Sequence, residues 1–201
     1  MSNLDISQAI NSDYDTTTEN LEVTPKNTDG VGQGKETEYT NPLWTQHWAY
    51  FNEHPELKAA IIMKATWNVG KGYECDARTQ VILDHISGMG KDTFDDILFN
   101  MEICRRVGRD AFAEIVRKDN IIINLKPLDP GSIKIVIDDK GLILRYEQIS
   151  KVTPKESKVV KTFRPEDIFH LSNNRLADQI HGISDIESLD KTLLAELESF
   201  E

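Results

Sequence analysis

Cysteine, clustered positive charge, long apolar runs and catalytic signatures are all scarce in this chain, and each scarcity excludes something. The 201 residues hold two cysteines, Cys75 and Cys104, far apart and outside any CxxC spacing. They fit a reducing compartment, Cys104 as a small apolar filler and Cys75 as a free thiol. Lysine and arginine total 23 against 34 aspartates and glutamates, a formal charge of −11. Backbone binding of nucleic acid depends on clustered Lys and Arg neutralising phosphates, so a domain that wraps nucleic acid electrostatically is disfavoured. Passage of DNA without a tight grip remains compatible. No apolar run approaches the ~20 residues of a membrane helix, and the N-terminus carries no apolar secretory core. A soluble protein with no membrane partner is expected. No HExxH, HxxEH, CxxC or GxSxG pattern occurs, and no internal repeat of fixed period is visible.

At this length one ordinary domain with a real core is expected if most of the chain folds. Residues 1–40 are polar and acidic, with Leu4, Ile6, Ile10, Leu21, Val23 and Val31 scattered among them. So few apolar side chains do not offset the entropy of ordering, and the segment reads as a disordered acidic tail. Residues 41–201 carry the folding signals. Trp44, Trp48 and Phe51 recur at helical spacing and read as core. Pro55 sits in the first turn of a second helix, whose stripe of Leu57, Ile61, Ile62, Ala65 and Val69 ends at Gly70 and Gly72. Ala77 to Ile86 reads as a short helix closed by Ser87-Gly88-Met89-Gly90. That turn lacks phosphate-loop spacing, so it is read as a C-cap. The strongest helix opens at Asp92 or Thr93, with Asp95 and Asp96 in its first turn. It is expected to bury Phe94, Ile97, Leu98, Met101, Cys104 and Val107.

Beyond Gly108 the apolar period shortens. Asp110 to Arg117 fits either a continued helix or a strand, and the interruption at Gly108 favours the strand; Lys118-Asp119-Asn120 reads as a turn, and Ile121-Ile122-Ile123 as the next strand. Asn124 to Ile137 reads as strand, stiff connector, strand, because Pro127 and Pro130 fix their own φ and hold Lys126 and Asp129 extended. Ile133–Ile137 and Leu142–Ile149 form a hairpin through Asp138-Asp139-Lys140-Gly141, where Gly141 accommodates positive φ. A further hairpin is expected between Lys151-Val152 and Val159–Phe163. Arg164-Pro165-Glu166-Asp167 breaks it before Ile168-Phe169-His170-Leu171. Ser184 and Glu187 form a capping box for a closing helix that carries Ile186, Leu189, Leu193, Leu194 and Leu197. This helix reaches Glu201 without a Gly or Pro stop, so the chain is expected to be cut short of a longer protein. The class is α+β: N-terminal helices packed on antiparallel β-hairpins, a closing C-terminal helix and a disordered N-terminal tail.

The titratable candidates are Asp129, Asp138, Asp139, His170, Asp178 and His181. Asp138 and Asp139 occupy a tight turn, where Asp is common for backbone reasons. His170 alternates with Phe169 in a strand and reads as structural. Arg175, Asp178 and His181 recur at threes and can share one helical face as a metal or acid–base site. A polar loop satisfied by an Arg–Asp pair is the simpler reading. Lys151, Lys155, Lys158 and Lys161, with Arg164 beyond, form a local basic cluster. Without interleaved aromatics it reads as a solvated hairpin. No catalytic, cofactor-binding or metal residue is assigned, and no cofactor is expected.

Several segments taken in order resemble the N-terminal half of tailed-bacteriophage portal proteins. They are Gly108-Arg109-Asp110-Ala111-Phe112-Ala113-Glu114-Ile115, Asn124-Leu125-Lys126-Pro127-Leu128-Asp129-Pro130 and Ile133 to Val136. Gly141 to Gln148, Glu166-Asp167-Ile168-Phe169-His170-Leu171 and Asp178-Gln179-Ile180-His181-Gly182-Ile183-Ser184 complete the series. The similarity covers Trp48 to Leu194. It implies a structural, non-enzymatic subunit of a homo-oligomeric ring, typically a dodecamer, at one capsid vertex of a virion, assembled in the host cytoplasm. Such a ring is the channel for genome packaging and ejection of double-stranded DNA. Its implied partners are the terminase large subunit, capsid and scaffold proteins, and the head–tail connector. Residues 41–201 would be the peripheral wing domain, without the stem, clip and crown. Ring assembly needs a heterologous interface, for which Trp44, Trp48 and Phe51 are candidates. The competing readings are a metal-dependent nucleic-acid enzyme using His170, Asp178 and His181, and a protein-binding module whose acidic tail recruits a basic partner.

Overall fold

The computed structural model describes residues 36–150 and 158–199. Its elements begin with β1 (Glu36–Thr40), α1 (Trp44–Glu53), α2 (Pro55–Val69), α3 (Ala77–Leu83) and α4 (Phe94–Gly108). Then come β2 (Asp110–Lys118), β3 (Ile121–Leu128), β4 (Ile133–Asp138) and β5 (Ile143–Ile149). β6 (Val159–Phe163), β7 (Ile168–Ser172) and α5 (Asp190–Ser199) complete the order. The class is the expected α+β.

The helices start where local chemistry allows. Pro55 occupies the first turn of α2, where its missing N–H forfeits no helical bond. Thr93 caps α4: its hydroxyl accepts the Asp96 N–H, and the Asp96 carboxylate accepts the Thr93 N–H in return. Asp76 caps α3 by accepting the Arg78 and Thr79 N–H groups.

All strand pairings are antiparallel. One sheet has the order β1-β4-β5-β6 and the other β3-β2-β7. Strand alternation divides β2 between two cores. Ala111 and Ala113 face α4 with Ile97, Met101 and Leu125. Phe112 faces the other way, into a core with Leu128, Ile133, Ile135, Ile137, Tyr146, Phe163 and Ile168 that joins the two sheets. On another side of α4, Val107 packs with Trp44, Tyr50, Phe51 and Ile61 from α1 and α2, and with Ile186 and Leu193. Each fully buried Phe or Ile contributes about 1.5–3 kcal/mol.

The stretch from Asn124 to Ile137 crosses between the sheets. β3 ends in the three-stranded sheet at Leu128, a single turn at Pro130–Ser132 follows, and β4 begins in the four-stranded sheet. Pro127 is accommodated because β3 is an edge strand, so its missing donor faces no partner.

Several expectations are corrected. Glu36–Thr40, assigned to the tail, forms β1 and pairs with β4, burying Tyr39 partly beneath it. The rest of that assignment, residues 1–35, lies outside the described residues, as do Lys151 and Val152 of the expected hairpin. β6 pairs with the later half of β5, from Tyr146 to Ile149. The short helix α3 stops at Leu83, capped by Asp84 rather than by the Gly-rich turn. That turn is held by Asn124, whose side chain accepts the Ser87 and Gly88 N–H groups and donates to the Gly88 carbonyl. The closing helix starts at Asp190, not Ser184: the Ser184 hydroxyl accepts the Ile186 N–H and donates to the Val107 carbonyl, but no helix follows it directly. Trp44 and Phe51 are buried as expected, whereas Trp48 stacks on both with 40% of its surface exposed.

Candidate functional site

The site grows from the end of α4. A helix leaves its last carbonyls without internal partners, and here the chain supplies them from distant segments. The Arg106 carbonyl accepts the Asp185 N–H, and the Val107 carbonyl accepts from His47 Nδ1 at 3.1 Å and Ser184 Oγ at 2.7 Å. Asn41 Nδ2 donates to the Gly108 carbonyl. Burial holds the His47 pKa below its ordinary value, which suits a neutral ring donating one N–H. Arg109 then turns at φ 75°, strained for a residue with a side chain, and its carbonyl accepts the Asn173 N–H.

That turn delivers Asp110 to the start of β2, on the same face as Phe112. Its carboxylate is fully buried between the sheets. One oxygen accepts from His170 Nε2 at 2.9 Å, and the other accepts from His181 Nδ1 at 2.7 Å. The Gly182 N–H also points at both oxygens, at 3.3 Å each. Burial alone would raise the Asp110 pKa; the two imidazole hydrogen bonds and charges outweigh it and hold the carboxyl below the usual range. Tyr146, from the other sheet, places its hydroxyl 3.0 Å from His170 Nδ1. Burial, with the Asp110 charge nearby, pushes that phenol up to about 12, so it is a donor. A proton on Nε2 of His170 satisfies both of its neighbours at once.

The Gly182 approach requires glycine. A Cβ there would meet the Arg109 and Asn173 carbonyl oxygens at 2.4 Å. Asn173 fastens the same loop from the other side: its carbonyl accepts the Ile183 N–H, and its side chain donates to Ile183 and Asp185 and accepts from Arg105. Arg105 and Arg106 both pair with buried Glu102, and Arg106 pairs with Asp185.

A Tyr–His–Asp–His chain has the composition of an acid–base relay, but this one is sealed. The side chains of Asp110, His170 and His181 are 1%, 9% and 4% exposed. The clefts along α3 and α4 and beside Asp185 are lined by none of these residues, nor by Tyr146. Among the described residues, no group of three or more His, Cys, Asp or Glu side chains is placed to hold a metal ion. What the arrangement can do is mechanical: it locks the two sheets, the α4–β2 junction and the loop before α5 into one body. Such a buried hydrogen-bonded network specifies one arrangement of its parts.

The sequence candidates separate accordingly. His170 and His181 come together, but through Asp110 rather than Asp178. Arg175 and Asp178 are exposed in a non-helical segment, so the shared helical face does not form. Asp129 caps the connector turn by accepting the Gly131 N–H, and Asp138 closes the β4–β5 turn by accepting from Lys140 and Leu142. Asp139 is exposed beside it. Of the basic cluster, Lys161 pairs with Glu114 and Arg164 with Glu166 and Asp167, while Lys158 is exposed. Lys151 and Lys155 lie outside the described residues. Sequence reading passed over Asp110, Tyr146 and Gly182. The available signal was parity: with β2 assigned, Asp110 falls on the face of Phe112, and a carboxylate there demands partners.

Comparison with known proteins finds likeness in structure and none in sequence families. No family model and no curated protein matches the sequence. A chain of the structure titled "Virion of native gene transfer agent (GTA) particle" superposes with a TM-score of 0.65 at 14% identity, over 83% of this chain and 46% of that one. A chain of "Neck of native GTA particle computed with C12 symmetry" does so with a TM-score of 0.66 at 13% identity, over 84% and 47%. The likeness to chains of this virion and neck is one of fold. This chain spans about half the length of the chains it matches.

Proposed function

We propose that this chain is the wing part of a portal-ring subunit of a phage-like particle, acting structurally rather than as an enzyme. The observation that carries this reading is the fold shared, over 84% of the chain, with a neck component of a particle whose structure was computed with C12 symmetry. The order of segments from Gly108 to Ser184 supports the portal within that neck. In this reading the chain from Glu36 onward, β1 included, forms the wing, copies associate into a dodecameric ring at the capsid vertex, and stem, clip and crown lie outside these residues. Double-stranded DNA passes through during packaging and ejection, and the net charge of −11 favours a conduit that does not hold phosphates. Terminase, capsid and scaffold proteins, and the head–tail connector are the partners this role requires. The sealed Asp110 joint suits a subunit that must keep its shape while DNA is forced past it. Electron microscopy of the full-length protein tests the proposal: closed rings of twelve-fold symmetry are expected, and a strictly monomeric protein overturns it.

A further inference from the structure

Two surface features outside the Asp110 joint have complementary chemistry. The first is a groove running along α4 between α1 and the Pro127–Pro130 connector, formed by adjoining clefts of about 470 and 300 Å³ that share Met89, Asn100 and Pro127. Its apolar wall includes Trp48, 40% exposed, and Met89, 73% exposed. Its charged members are Asp92, Asp96 and Asp129, and no lysine or arginine lines either cleft. Hydrogen bonds from Thr93 hold the Asp96 pKa below its ordinary value, so that end stays negative.

The second feature is the start of β6, an edge strand. Val159 and Val160 are 41% and 67% exposed there, and Lys158 and Lys161 flank them. Lys151 and Lys155 stand close by in sequence. Exposed β-branched residues bracketed by lysines are the chemical complement of an apolar, acid-rimmed groove. Within one copy, β5 holds Val159 and its neighbours in the sheet, and neither valine lines the groove. The chain's own N-terminal segment is a poor occupant on charge: Asp5, Asp13, Asp15, Glu19, Glu22 and Asp29 outweigh Lys26 and Lys35.

We propose that the groove lined by Trp48 and Met89 receives the Lys158–Lys161 edge of a second copy of this chain. The inference rests on the ring reading and names its contact. Groove and edge are different surfaces of one subunit, so the contact is heterologous, and its repetition closes into a ring when the rotation permits. Trp48 is the apolar anchor, and Lys158 finds the acidic rim, whereas Lys161 stays paired with Glu114 of its own copy.

Paired cysteines test it: Thr45→Cys in the groove and Val160→Cys on β6, in a Cys75→Ser background, oxidised and run on a non-reducing gel. A ladder of covalent dimers and higher multiples is expected, with an unchanged melting temperature showing the fold intact. Lys158→Glu in the same background should slow cross-linking about tenfold, as loss of a steering charge does. Monomer alone, a single fast intramolecular band, or indifference to Lys158→Glu overturns the contact. Electron microscopy of the uncrosslinked protein separates the two claims: rings without a ladder reject this contact and leave the ring, whereas a ladder without rings supports the contact and rejects the ring.

Discussion

His170 donates to Asp110 through Nε2 at 2.9 Å although the two stand 60 residues apart in sequence. The register explains how. β7 pairs with β2 so that His170 lies opposite Phe112 and Ser172 opposite Asp110, and the imidazole, stacked on the Phe112 ring at 4.6 Å, reaches diagonally to the carboxylate. Its other nitrogen meets Tyr146 from the neighbouring sheet. A single ring therefore spans the seam that the Phe112 core closes by burial. Apolar packing holds the sheets together there, and the polar chain fixes their relative setting.

Replacing Asp110 by Asn should cost about 3 kcal/mol of stability, because donors on His170 and His181 then face an amide that can accept from one side only. Urea unfolding read by tyrosine and tryptophan fluorescence measures it. A loss under 1 kcal/mol, on the order of a surface substitution, would show that water compensates the imidazoles. Tyr146→Phe removes a single donor and should cost about 1 kcal/mol.

Acid should weaken the fold in two stages of distinct origin. His47 is held below its ordinary value of 6.5 by burial, so the unfolded chain takes up the proton first. Its contribution is complete above about pH 6.5 and declines as pH falls toward the folded value. Asp110 is held below its ordinary value of 3.8, so its contribution is complete above that and is lost only as pH falls through the folded value. Glu102 and Asp185 are also low: burial opposes this, but bonds from Arg105 and Asn68 to one, and from Asn173 and Lys64 to the other, prevail. Comparing stability against pH for wild type, His47→Gln and Asp110→Asn separates the stages. The first variant should flatten the slope below about pH 6.5, and the second should flatten only the strongly acidic part.

The elements were legible because their signals are local. Thr93 with Asp96, Pro55, the alternation of β4 and the Asp138–Gly141 turn each declare themselves within a few residues. The site was not, since its parts are assembled by pairing. Asp110 sits beside a helix end, His170 in a strand and Tyr146 in another sheet, and no spacing links them before β2 and β7 are in register. Ser184 misled for a physical reason: its hydroxyl does accept the Ile186 N–H as a cap would, while donating to the Val107 carbonyl, but the residues after it make isolated turns and the helix begins only at Asp190. β1 was missed because a strand with Glu36 and Glu38 outward carries little apolar signal, and ion pairs across the sheet supply part of its stability.

Gly108 is predicted to be indispensable for packing rather than for backbone freedom. It ends α4, where Ala would normally gain about 1 kcal/mol in helix propensity. A Cβ there would lie 2.2 Å from Trp44 Cε3, inside a buried ring. Gly108→Ala should therefore destabilise by about 1–3 kcal/mol. Combining it with Trp44→Leu should lose less than the sum of the two, because the smaller side chain relieves the clash; additive losses in the double-mutant cycle would reject this account.

β1 should loosen with salt before the rest of the fold does. Glu36 pairs with Arg145 and Glu38 with Lys134, and Glu147 lies between the two cations. This ladder crosses β1, β4 and β5 on the outer face, where Glu36 and Glu38 are exposed and their attractions are screened. The inner face anchors β1 through Tyr39 alone among its large side chains. Raising ionic strength to about 1 M shortens the screening length to about 3 Å, so the β1 amides should exchange with solvent several-fold faster while those of β2 stay protected. Arg145→Ala should reproduce the effect at low salt and abolish its salt dependence. If β1 and β2 respond alike, the strand is held by its backbone pairing with β4 and not by the charges.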